Sequence, residues 1–197
     1  RYNSMTRIDR WVVNKVFAWL RQNADAISHI DRLSINLSGL TLSDENMLNY
    51  IHDAVKALPV PANLICFEIT ETAAIANLRA ATVFIERLGA LGVSFALDDF
   101  GSGLSSFGYL KKLRVDSLKI DGMFVKDMLL DPLDFEMVKS INEIGHVMGL
   151  TTIAEFVESP AILHKLREIG VDYAQGYSIG VPAPIETLLS AGNNIYG

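Results

Sequence analysis

Residues 93–121 read VSFALDDFGSGLSSFGYLKKLRVDSLKID. A short apolar run, Val93 to Leu97, ends on the doublet Asp98-Asp99, and a loop with two glycines and three serines follows it. A second run, Ser117 to Ile120, then carries Lys119. Short apolar runs bounded by turn residues are strand signals, and polar residues gathered at the ends of successive strands are the mark of a shared rim. This stretch therefore predicts two strands of one sheet, each delivering charge to the same side.

The same pattern continues outward in both directions. Upstream, Leu33 to Leu37 carries Asn36 and Leu64 to Ile69 carries Glu68; downstream, Thr151 to Ala154 leads into Glu155, and Tyr173 to Tyr177 carries Gln175. Capped helical stripes alternate with these runs. Ser43 is placed to cap the stripe Met47, Leu48, Ile51, Ala54, Val55, and Thr72 to cap a run to Leu88 that stops at Gly89. Asp131-Pro132 and Ser159-Pro160 each set a capping side chain before a proline at the first helical position. An amphipathic helix over residues 6–22 opens the chain, with Trp11 and Trp19 expected to pack on one buried face.

Strands alternating with helices predict an α/β fold with a parallel sheet, either open and doubly wound or closed as a barrel. An open nucleotide-binding sheet would carry a glycine-rich first turn, and none follows the first strand. The fold expected is a TIM-like (β/α) barrel. Six strands are visible of the eight that closure requires.

Composition sets the outer limits. The 197 residues suffice for one large domain, and 50% apolar against 20% charged residues describe an ordered interior. A net charge of -6 disfavours adhesion to DNA, RNA or anionic lipid through bulk charge. The single Cys66 lies in an apolar run and reads as a buried side chain. There is no apolar stretch of membrane-spanning length and no export signal, so a cytoplasmic domain is expected, one that a membrane protein could also carry.

The residues at the strand ends define the chemistry. Glu68, Asp98, Asp99, Glu155 and the amide Asn36 are hard oxygen donors, suited to Mg²⁺ or Mn²⁺ rather than zinc, and His29, His52, His146 and His164 are scattered. Adjacent aspartates in one pocket repel unless a cation or proton lies between them. Two cations about 3.5–4 Å apart could clamp the attacking and leaving oxygens of a phosphodiester. Lys119 would donate to a water or phosphate oxygen, or else simply pair with an acid. The Asp-Phe-Gly at 99–101 lacks the companion motifs of a protein kinase.

Taken together, Ser34-Ile-Asn36-Leu-Ser38, Glu68-Ile-Thr-Glu71, Ala96-Leu-Asp98-Asp99-Phe-Gly-Ser-Gly-Leu-Ser-Ser106, Leu118-Lys119-Ile-Asp121, Ala154-Glu155-Phe-Val-Glu158 and Ala174-Gln175-Gly-Tyr177 resemble the EAL domain family of cyclic di-GMP phosphodiesterases in bacterial signalling. The resemblance spans nearly the whole chain, so residues 1–197 are expected to form one such domain lacking its N-terminal strands. It implies hydrolysis of cyclic di-GMP to linear 5′-pGpG with two Mg²⁺ or Mn²⁺ ions. By motif, Asn36, Glu68, Asp98 and Asp99 resemble the metal ligands, with Asp98 bridging. Glu155 and Lys119 resemble the pair that activates and orients water, and Gln175 completes the site. Glu71 resembles the residue that steadies the loop after Asp99, and Glu158 a further site acid. The resemblance also implies a homodimer and fusion to sensor or GGDEF-type domains.

Three features depart from the family pattern. No Glu-Ala-Leu tripeptide occurs, which places the start of the chain after that motif. Val181 stands where a basic residue is common, and Thr41 where Gln is common; both bear on substrate contacts more than on metal binding. The rival readings are a non-catalytic cyclic di-GMP receptor and an unrelated barrel enzyme with a lysine base and one metal.

Overall fold

A computed structural model describes residues 4–102 and 108–189. Helix α1 (Ser4–Asn23) opens the chain, and strand β1 (Leu33–Asn36) follows. Next come the short helix α2 (Gly39–Leu42), α3 (Glu45–Lys56), β2 (Ile65–Thr70), α4 (Glu71–Ala76) and α5 (Leu78–Gly89). Strands β3 (Ser94–Phe100) and β4 (Ser117–Ile120) precede α6 (Gly122–Val125) and α7 (Pro132–Val147). Strand β5 (Thr151–Ala154), α8 (Pro160–Ile169) and β6 (Tyr173–Ala174) complete the order.

The six strands form one parallel sheet in the order β1-β2-β3-β4-β5-β6, curved into a half-barrel with helices outside. Register assigns its two faces, because paired residues of parallel strands share a face and alternate residues do not. Ile35, Phe67 and Phe95 stand level on the helix-covered face, where Phe84 of α5 meets Phe95 edge-on at 6.3 Å. Asn36, Glu68, Ala96 and Ser117 stand level on the concave face. The large apolar side chains thus bury between sheet and helices, leaving the concave face to small and polar groups.

Several local expectations shift for physical reasons. Ser43 does not cap the third helix; Asp44 does, accepting from the amides of Asn46 and Met47, because its carboxylate reaches two donors. The helical run to Leu88 is broken in two: Thr70 rather than Thr72 caps α4, and Asn77 caps α5. Trp19 is buried, yet Trp11 lies exposed beside Lys15. Eight residues at 3.6 per turn leave the two indoles about 80° apart on the helix. The last strand is two residues long rather than five, because the backbone turns at Gly176 against Val157. The third strand includes the aspartate doublet instead of ending before it, and the serine-rich loop at Gly103–Ser106 lies outside the described residues.

Candidate active site at the carboxyl end of the sheet

Four side chains from four strands meet at one point. The Lys119 ammonium lies 2.8 Å from Glu68 Oε2, 2.8 Å from Asp98 Oδ1 and 2.9 Å from Glu155 Oε1. Lys119 is only 3% exposed, a depth at which an ammonium is tolerated because three carboxylates surround it. Burial alone would push Lys119 down; the charge of Glu68 and the close contacts with Asp98, Glu68 and Glu155 outweigh it, and the net displacement is upward. The lysine therefore stays charged.

The aspartate doublet reaches this cluster through a break in strand regularity. Two consecutive residues of a regular strand point to opposite faces. Between Leu97 and Phe100 the register slips against β4, and Asp99 takes a left-handed conformation at φ 54°. A bulge of this kind re-aims a side chain. Its outcome here is that carboxylate oxygens of Asp98, Asp99 and Glu155 all lie within 4.8 Å of one another.

Such crowding carries an electrostatic cost. Burial, then the charges of Asp98 and Asp121, raise Asp99 against the opposing pull of Lys119. Burial raises Glu155 to about 7, with Lys119 pulling down and Asp98 and Asp99 pushing up. Asp98 Oδ1 is buried near the ammonium but receives no well-directed hydrogen bond. A buried carboxylate oxygen that shares one ammonium with two other acids, among carboxylates held close against repulsion, fits a divalent cation; all the ligand atoms on offer are hard oxygens. The oxygens of Asp98, Asp99 and Glu155 lie close enough together to surround an ion or a water beside one.

The other candidates fall around this centre. Asn36 is level with Glu68 on the same face, and the Leu37 amide donates to the Glu68 carbonyl at 2.9 Å, locking the two strand ends together. Gln175 follows β6 and joins Glu155, Phe156, Glu158, Gly176 and Tyr177 around a cleft of 270 Å³. Glu158 is exposed at that cleft, away from the ammonium cluster. A larger cavity of 600 Å³ reaches from Gln175 toward Arg32 and Asp116 near the strand starts. Size does not locate the chemistry, because the converging charges lie at the other end.

Glu71, nearly fully buried, accepts from the Gly101 amide at 3.2 Å and from the Tyr109 hydroxyl, so it bridges the two sides of the loop after Asp99. Tyr109 gave no sequence signal, being one tyrosine near the end of a loop. Phe156 gave none either, as one aromatic residue after a strand. It is left-handed at φ 52°, and its ring lies where a Cβ on Gly122 would stand, 1.7 Å from ring carbon Cδ2. Only glycine fits at 122, and the ring occupies the space beside Glu155.

The sequence profile of the EAL domain matches residues 1–182. Among curated relatives, cyclic di-GMP phosphodiesterase PdeB of Shewanella oneidensis is 46% identical over 94% of this chain, which covers 22% of that protein. Cyclic di-GMP phosphodiesterase PdeA of Borreliella burgdorferi is 37% identical over 94% of this chain and 28% of its own length. The chain thus spans about a quarter of the curated relatives it matches. Among solved structures, the PaMucR phosphodiesterase in complex with c-di-GMP superposes with a TM-score of 0.86 at 31% identity, covering 92% of this chain and 74% of that one.

Proposed function

This chain belongs to the EAL domain family, and from that premise we propose that it is a phosphodiesterase domain that hydrolyses cyclic di-GMP to linear 5′-pGpG with Mg²⁺ or Mn²⁺. The observation that carries this reading is the convergence of Asp98, Asp99 and Glu155 oxygens within 4.8 Å, beside a buried lysine. Asn36, Glu68, Asp98 and Asp99 would hold the divalent ions. Bound there, divalent ions would supply positive charge to the phosphodiester and acidify water.

The chain's own groups divide the remaining work. Glu155 Oε1, beside the ammonium, takes the proton of the attacking water. Lys119 keeps its charge among three acids and donates to a phosphodiester oxygen or to that water, which fixes the line of attack. Glu71 holds the loop after Asp99 through Gly101 and Tyr109. Gln175 and Glu158 border the cleft next to Glu155, where part of the dinucleotide would lie. The reading treats residues 1–197 as one such domain of a signalling protein, acting in the cytoplasm, pairing as a homodimer and joined to sensor or GGDEF-type domains. No helix among the described residues is long and apolar enough to cross a membrane.

The test is turnover. Purified protein with cyclic di-GMP and Mn²⁺ should release linear dinucleotide, and chelation should stop it. Tight binding of cyclic di-GMP without product would replace hydrolysis by a receptor role, and neither binding nor product would end the reading.

A further inference from the structure

Asp9 is another buried carboxylate, and like Glu71 it stands outside the acid cluster. It projects from α1 and is 6% exposed, yet no cation is paired with it among the described residues. Its Oδ2 instead accepts three hydrogen bonds: from the Ser38 amide at 2.9 Å, the Ser38 hydroxyl at 2.6 Å and the Thr41 hydroxyl at 2.6 Å. Ser38 heads the short helix α2 and its own side chain caps nothing. Asp9 therefore caps α2 from another helix, with the negative charge next to a helix start where backbone dipoles favour it.

What this clamp holds is the segment that leaves β1 directly after Asn36. On one side the Leu37 amide is bonded to the Glu68 carbonyl; on the other the Ser38 amide is bonded to Asp9. The Asn36 side chain is exposed and makes no hydrogen bond among the described residues, so what fixes this position is its backbone, held from these two sides. Thr41, one of the three departures from the family pattern, is fully buried and bonded to Asp9. We infer that Asp9, with Ser38 and Thr41, is a positioning residue for Asn36, setting the carboxamide level with Glu68 so that it can complete the metal-binding rim. This rests on the proposed metal-dependent reading of that rim.

The experiment measures binding of Mn²⁺ alone to the intact chain by electron paramagnetic resonance, without substrate. Asp9→Asn keeps the shape and removes the charge; it should weaken Mn²⁺ binding about tenfold, the usual scale for a group that orients a metal ligand. Asn36→Ala should weaken it similarly, and the double variant should bind no worse than Asn36→Ala alone, because Asp9 acts only through Asn36. In the metal-free protein, the Asn36 side-chain amide resonances should move in Asp9→Asn. Phe17→Leu, which loosens α1 in the core, should lower Tm without changing Mn²⁺ affinity. Unchanged Mn²⁺ affinity in Asp9→Asn, or losses that multiply in the double variant, would overturn the inference while leaving the metal site standing. No Mn²⁺ binding by the unaltered chain would overturn the metal reading itself, and this inference with it.

Discussion

The two ends of the same sheet are built by opposite rules. At the strand starts, polar groups are satisfied one by one. Asp116 accepts the Phe95 amide at 2.8 Å, Ser117 and Thr151 hydroxyls meet at 2.7 Å, and Arg32 reaches Ser117 at 2.9 Å. Asp172 accepts the Thr152 amide at 2.8 Å and pairs with His146 at 2.9 Å, while Thr152 also donates to buried Asn142. At the strand ends, three acids crowd one ammonium with Asp99 beside them, and both left-handed non-glycine residues among the described residues, Asp99 and Phe156, are found there. One end is arranged for stability and the other holds strain and unbalanced charge, which native structures retain chiefly where a ligand will relieve them.

Substitutions should therefore separate the two ends. The largest effect expected is on turnover: Glu155→Gln should slow hydrolysis of cyclic di-GMP by about 10²–10⁴-fold, the range for losing a positioned proton acceptor. An unaltered single-turnover rate would remove Glu155 from the chemistry. Lys119→Met should come next. It leaves three buried carboxylates without their cation, which costs about 3–5 kcal/mol when one partner of a buried pair is lost. At ~2–4 °C per kcal/mol for a chain of this size, calorimetry should show metal-free Tm lowered by on the order of 10 °C. Added Mn²⁺ should restore much of it, and a loss that Mn²⁺ leaves untouched would mean the acids do not bind the ion.

At the strand starts the effects should be smaller and confined to stability. Thr152→Val removes the hydroxyl that donates to Asn142 and leaves that buried amide oxygen short of a partner. A cost of about 1–3 kcal/mol follows in chemical denaturation, with kcat unchanged; a fall in kcat beyond the fraction unfolded would erase the distinction between the two ends.

The smallest effect is pH-dependent. Burial favours the neutral form of Asp172, but the Thr152 amide, His146 and the Thr152 hydroxyl outweigh it and hold the carboxyl below its ordinary value. A lowered folded value means the contribution is complete above the unfolded carboxylate value of about 3.9 and is lost as pH falls through the folded one. Asp172 is partly exposed, so after screening the gain is no more than about 1 kcal/mol. The Tm gap between the unaltered chain and Asp172→Asn should be a few degrees at pH 6 and narrow as pH falls below about 3.9. A gap that widens on acidification would reverse the assignment.

Much of this was legible in the residues. The alternation of apolar runs with capped helices gave six strands and their order, and Asp131-Pro132 and Ser159-Pro160 mark the starts of α7 and α8 as expected. Glu68, Asp98, Lys119 and Glu155 could be picked out because each sits at a strand end, a position that topology turns into proximity. Less legible were contacts that depend on a single dihedral angle or a distant helix. Ser43 and Asp44 are adjacent capping residues, and only the path of the chain chose between them.

The sequence by itself determined the parallel α/β architecture and the set of oxygen donors, because periodicity and turn chemistry are local and each strand end inherits its residue directly. Tertiary structure alone decided that Asp98 and Asp99 face one point, since regular alternation would part them and the register slip against β4 prevents it. It also decided that Asp9, 27 residues before Asn36, clamps the turn beyond it. Such a bond depends on the packing of α1 against α2, and no spacing in the chain encodes that distance.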